Sequence, residues 1–199
     1  MTSRSVSRAT TLTAFITMSA LTLAGCGNGG GSGGGGQTNY VTSTDGISRI
    51  PKDERESVGT IKGKSVQGEP MDMADLRGKV VVINVWVSWC PPCRAEAPHF
   101  NKVAKETESK GVAFFGINAR ERNISSSKAF EEDYQMAYPS LYDPIGKSLL
   151  TGFPKGTLNP QTLPTTLVLD RDGKIAARSL SGMNEEELHA LIAPVLQEA

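Results

Sequence analysis

The sequence lacks an excess of charge of either sign. Its 21 basic and 21 acidic residues cancel, so it carries no basic footprint of the kind that nucleic acid requires. It also lacks a long, strongly apolar run. The N-terminal stretch Leu12 to Leu23 is diluted by threonines and is too short and too polar to read as a membrane-spanning helix. Metal-ligating side chains are scarce. There are three cysteines and two histidines, His99 and His189, whereas a closed zinc site usually takes four ligands. No metal and no bound cofactor are therefore expected. The modest apolar content comes from an N-terminal region rich in Gly, Ser and Thr. Without it, the chain is one domain's worth of conventional globular sequence, long enough for a proper core.

Residues 1–25 have the form of a secretory signal, with Arg4 and Arg8 ahead of the mildly apolar run. The run ends in Leu23-Ala24-Gly25-Cys26, which resembles a bacterial lipobox. That resemblance implies a lipid on Cys26, which becomes the mature N-terminus. Ordinary signal cleavage beside an incidental cysteine is the alternative. An odd cysteine in a secreted chain calls for an explanation, and a thioether-linked lipid supplies one. Several acyl chains would hold the protein at the outer face of the cytoplasmic membrane. Residues 26–56, beginning with the near-continuous glycines of 27–36, are expected to be a flexible tether. The folded domain is expected to span 57–199, as a monomer.

Within that domain, Val58 to Val66 suggests a strand and Met71 to Gly78 a short helical turn ended by glycine. Val80 to Val87 is a near-continuous apolar, β-branched run, the pattern of a strand buried on both faces. A helix is expected from Pro91 to Ser109, a strand over Val112 to Asn118, a helix from Ser125 to Tyr138 and a shorter one from Asp143 to Leu150. Thr165 to Asp170 and Lys174 to Ser179 flank Asp172-Gly173, which predicts an antiparallel hairpin. Asn184 caps a final helix whose first turn is acidic.

The densest signal is Trp89-Cys90-Pro91-Pro92-Cys93. A buried strand leads into it and a helix leads out, so two cysteines fall on the first turn of a helix. At i and i+3 their sulfurs can close a small disulfide ring. The positive end of the helix favours a thiolate on the first cysteine, and a thiolate is what attacks disulfides. The element order is βαβα followed by ββα. With this strand-to-helix CxxC, it is the thioredoxin-like pattern, an α/β fold with a mixed central sheet flanked by helices. Here the fold would carry an N-terminal strand extension and a mid-chain insertion.

The chain resembles the TlpA/ResA group of membrane-anchored, thioredoxin-like thiol–disulfide oxidoreductases of bacteria. The likeness is carried by Leu76 to Asn84, by Trp86 to Glu96 and by Leu163 to Asp170, and covers about residues 57–199. It implies that Cys90 is the attacking thiol and Cys93 the resolving thiol. It implies a cis peptide before Pro164, and substrate contacts from Trp89, Pro91, Leu163 and Pro164. It also implies that Glu96 assists proton transfer, against the plainer reading of a solvated helix glutamate. Asn84 stands where thioredoxin has a titrating aspartate, which moves that role toward Glu96 or water. Pro98 would shape the helix. Partners implied are protein disulfides or dithiols, apocytochrome c among them, and a membrane thiol–disulfide electron donor. Segment 118–156 resembles the group's insertion and yields no individual roles.

Three other readings compete. An oxidase of secreted proteins would use the same cysteines in the opposite direction. A peroxiredoxin-like peroxidase would need a threonine four residues before the reactive cysteine, where Trp86 stands. A partner-binding module without turnover would have no use for a paired CxxC.

Overall fold

The computed structural model describes residues 41–42 and 47–198. The signal segment, Cys26 and the glycine tether lie outside the described residues. The strands are β1 (Val41–Thr42), β2 (Ser48–Arg49), β3 (Lys62–Lys64), β4 (Pro70–Asp72), β5 (Val80–Trp86), β6 (Val112–Ala119), β7 (Ser140–Asp143), β8 (Thr165–Leu169) and β9 (Ile175–Ser179). The helices are α1 (Pro91–Thr107), α2 (Ile124–Asp133), α3 (Lys147–Thr151) and α4 (Glu185–Gln197). Among the described residues, seven strands form one sheet in the order β1-β2-β9-β8-β5-β6-β7, and β3 and β4 form a separate hairpin.

β5 is the spine of the sheet. It runs parallel to β6 and antiparallel to β8, and every one of its residues is buried. Its alternate side chains feed two cores, as strand geometry requires. Val80 and Val82 pack with Phe100 and Val103 of α1 and with Leu188, Leu191 and Ile192 of α4. Val81, Ile83 and Val85 pack on the opposite face with Ile61, Met73, Leu149 and Phe153. The sheet is therefore mixed, with helices on both faces, as the sequence predicts.

Several boundaries differ from the sequence reading. Secondary structure begins before Ser57: β2 pairs with β9, and Ile47 and Ile50 on either side of it are buried. The stretch expected as one strand over Val58 to Val66 holds only the short β3, which turns back through β4. The helical turn after it is confined to Met73–Leu76 and is capped by Asp72. α2 stops at Asp133 because Gln135 is left-handed, at φ 50°, and Pro139 biases Tyr138 toward extended backbone. That leaves room for β7, an unexpected strand parallel to β6.

Gly116 makes β7 possible. A β-carbon there would stand 2.7 Å from Cβ and 2.2 Å from Oγ of Ser140, its cross-strand partner. That Oγ accepts a hydrogen bond from Trp86 Nε1 at 3.0 Å. A missing side chain on β6 thus lets β7 come close enough to satisfy a buried indole on β5.

Candidate active site

β5 ends at Trp86, whose ring stacks on Phe130 of α2 with centroids 4.2 Å apart. The chain then turns through Val87, Ser88 and Trp89 into the start of α1. Cys90 is the N-cap, with extended backbone, and its Sγ accepts from Cys93 N at 3.3 Å. Pro91 and Pro92 occupy the first helical positions, where a missing N–H costs nothing. Cys90 and Cys93 are joined by a disulfide with Cα atoms 5.3 Å apart. Both are buried, Cys90 at 4% exposure and Cys93 at 1%, while Trp89 beside them is 64% exposed.

The other predicted residues divide between contacts that the structure specifies and contacts that it does not. The Leu163–Pro164 peptide is cis, and Leu163 packs against the cluster that contains both cysteines. Pro91 is exposed at the helix start. Pro98 lies inside α1. His99 is not in the site: its Nδ1 faces Glu185 of α4 at 3.4 Å.

Glu96 is no solvated helix glutamate. It lies one turn beyond Cys93 on the same face and is 2% exposed. Its Oε1 accepts from Asn84 Nδ2 at 2.8 Å, and its Oε2 accepts from Met183 N at 3.2 Å. Burial pushes its pKa up from the ordinary value to about 8, and these two hydrogen bonds only partly counter the rise. The carboxyl therefore holds its proton at neutral pH. Gly182, beside Met183, is close to both Pro92 and Glu96, so the loop before α4 closes over the first turn of α1.

Sequence reasoning missed Glu121. This buried carboxylate sits just past β6 and accepts from Ser88 N at 2.9 Å and from Ser88 Oγ at 2.5 Å. Asn118 Nδ2 also donates to it at 3.2 Å, and Asn118 Oδ1 in turn accepts from Ser127 Oγ at 2.8 Å. Glu121 pins the loop that presents Trp89 and Cys90. Arg94 supports the same loop, donating to Ser88 O at 3.3 Å while lying over the Tyr134 ring. The signal in the sequence was an acidic residue directly after an apolar strand, at the sheet end where functional loops collect.

A disulfide that caps the first turn of a helix, beside an exposed tryptophan, is an arrangement suited to thiol–disulfide exchange. The redoxin family model matches residues 50–192. The chain belongs to the redoxin family. Within it, this redoxin is 29% identical over 130 residues to the thiol-disulfide oxidoreductase ResA of Bacillus cereus, covering 65% of this chain and 71% of the relative. It is 31% identical over 134 residues to ResA of Halalkalibacterium halodurans, covering 66% and 72%. Among solved structures it resembles a secreted thiol-disulfide isomerase from Corynebacterium glutamicum, with TM-score 0.71, 28% identity and coverage of 82% of this chain and 100% of the other. A DsbF homologue from Corynebacterium diphtheriae gives TM-score 0.69 and 28% identity, over 81% and 96% of the two chains. This redoxin is thus a thiol–disulfide oxidoreductase of the ResA type, with a thioredoxin-like fold and a CxxC pair at Cys90 and Cys93.

Proposed function

We propose that this redoxin is a lipid-anchored, extracytoplasmic disulfide reductase in which Cys90 attacks, Cys93 resolves and Glu96 carries the proton. The observation that carries the reading is the buried Glu96 carboxyl, one helical turn beyond Cys93 on α1 and mostly neutral at pH 7.

In the reduced protein, the Cys90 thiolate at the N-terminus of α1 attacks one sulfur of a client disulfide. A Cys90–client bond forms, the client S–S bond breaks, and one client thiolate leaves. The ionised fraction of Glu96, a minority at pH 7 that grows toward pH 8, then takes the Cys93 proton. The Cys93 thiolate attacks Cys90 Sγ, closing the disulfide and releasing the second client thiolate. Two electrons have passed to the client, and the Cys93 proton rests on Glu96, which retains it because burial disfavours its charged form. A dithiol donor at the membrane reverses these steps. Its attack opens the disulfide, and Glu96 returns the proton to the leaving Cys93 thiolate.

Trp89 and Pro91, with the Leu163–Pro164 segment, would form the client contact. By resemblance to the TlpA/ResA group, the clients would include the oxidised CxxCH cysteines of apocytochrome c, which leave as thiols. The anchor rests on the Leu23-Ala24-Gly25-Cys26 tetrapeptide, and the mass of the mature N-terminus tests it. Among the described residues no helix is long and apolar enough to cross a membrane.

The decisive experiment is the reduction potential of the Cys90–Cys93 pair. A value at or below about −250 mV, near that of thioredoxin, supports a reductant. A value near about −120 mV would make the protein an oxidant of secreted proteins and remove the cytochrome reading.

A further inference from the structure

Tyr138 lies on the chain between α2 and β7, in the segment to which the sequence assigned no roles. Its ring is buried against Phe114 of β6, with centroids 5.3 Å apart. Its hydroxyl donates to Asn84 Oδ1 at 3.2 Å. Asn84 Nδ2, at the other end of the same amide, donates to Glu96 Oε1 at 2.8 Å. These are the hydrogen bonds of the Asn84 side chain among the described residues. They form a line from Tyr138 through one amide to the Glu96 carboxyl, one turn beyond Cys93 on α1.

An amide is nearly symmetric in shape but opposite in character at its two ends. With Nδ2 toward Glu96, it offers a donor, which a carboxylate accepts. With Oδ1 toward Glu96, it offers an acceptor, which only a protonated carboxyl can satisfy. The backbone of β5 does not choose between them. Tyr138 does, because in the reversed orientation its buried hydroxyl hydrogen would lose Asn84 Oδ1, its one acceptor among the described residues. Leaving a buried donor unsatisfied is disfavoured.

We propose that Tyr138 is a positioning residue: its hydroxyl fixes which end of the Asn84 amide faces Glu96, and thereby sets how readily Glu96 gives up its proton. The inference rests on the reading of Glu96 as the proton carrier. Glu96 accepts from Asn84 of β5 and from the Met183 N–H of the loop before α4; Cys93, one turn before it on α1, does not titrate while oxidised. Tyr138 feels the carboxyls of Glu96 and of Glu131 on α2; Lys128 and Glu132 line one surface cleft with it, and Lys79, Lys105 and Glu108 line another. Burial raises the Tyr138 pKa well above its ordinary value, so the hydroxyl stays a donor throughout the working pH range.

The test is the titration of Glu96 in the full oxidised chain, followed by carbon-13 NMR of glutamate carboxyls and assigned by the signal lost in Glu96→Gln. In Tyr138→Phe, the amide is free to reverse, and the Glu96 midpoint is expected to rise by about one pH unit, a tenfold gain in proton affinity. An unmoved or lowered midpoint overturns the proposal. In an Asn84→Ala background the amide is gone, so Tyr138→Phe is expected to add nothing. A full shift there would mean that the hydroxyl acts through its field alone, which also overturns it. Because the readout is protonation and not turnover, the two readings fail separately. If Glu96→Gln leaves the pH profile of exchange unchanged, the proton-carrier role falls while the Tyr138 shift can still be seen. If Glu96→Gln flattens that profile and Tyr138→Phe moves no midpoint, the positioning role falls alone.

Discussion

Glu96 keeps its proton because water cannot reach it, and that has a consequence for stability as well as for exchange. Its folded pKa of about 8 lies above its ordinary value of 4.5. Between those values the folded chain binds more protons than the unfolded chain, so stability falls as pH rises through the window. The contribution is intact below the ordinary value and is lost as pH passes the folded one. Thermal melts of the oxidised protein should therefore show Tm declining from about pH 5 to pH 9, and Glu96→Gln should flatten that decline. In exchange assays Glu96→Gln should slow resolution of the mixed disulfide by about a hundredfold at pH 8, the usual scale of a lost general base. A Tm profile that still declines in the variant would place the titrating group elsewhere.

At the scale of elements, the strand β5 and the helix α1 were legible in the sequence because each has a strong local pattern. One is a β-branched run with no polar relief except Asn84, and the other opens with two prolines at the positions that tolerate them. The Asn184 cap of α4 was equally readable, and the structure completes it as a capping box: Asn184 accepts from Glu187 N at 3.0 Å, and the Glu187 side chain accepts from Asn184 N at 2.8 Å. β7 was not legible. Its four residues carry no period of their own, and it exists because Gly116 leaves space across the ladder. Glu121 and Tyr138 were hidden for the same reason, since their roles depend on partners 33 and 54 residues away. Gly116→Ala tests this account. The added methyl must displace Ser140, loosening β6–β7 pairing and stranding the Trp86 N–H. A loss of about 2–4 kcal/mol in urea unfolding is expected, from overpacking plus an unsatisfied buried donor. A loss under about 0.5 kcal/mol would show that the approach is not as close as it stands here.

At the scale of the whole molecule, Arg55 ties three distant parts of the chain together. It donates to Asp170 Oδ2 at 3.1 Å in the β8–β9 turn, to Glu198 Oε2 and Oε1 at 2.6 and 2.7 Å at the C-terminus, and to Ile50 O at 3.1 Å beside β2. Its side chain is 5% exposed. The sequence read residues 26–56 as a tether because their composition is polar, and composition cannot reveal that a single buried arginine locks the end of that segment onto the domain. Arg55→Ala leaves the buried Asp170 carboxylate without its cation, and a loss of about 3 kcal/mol in urea unfolding at pH 7 is expected. Glu198 is partly exposed, so its share is smaller. The Arg55 hydrogen bond holds the Glu198 carboxyl below its ordinary value, so that share is present above the ordinary pKa and disappears as pH falls through the folded one. The gap between wild type and variant should therefore narrow in acid. A gap that stays constant down to pH 2 would mean that Arg55 acts through packing of its stem.

The two tryptophans are three residues apart in sequence and sit in opposite surroundings. Trp86 is sealed against Phe130 and tied to Ser140, whereas Trp89 stands in solvent next to the disulfide. Disulfides quench indole emission at short range, and water shifts that emission to the red. The chain thus carries its own optical gauge. Trp86 shares a buried cluster with both cysteines, so reduction is expected to brighten both indoles, with the Trp89 part at the red end of the band. The redox state can be read continuously, without a label and without touching either thiol.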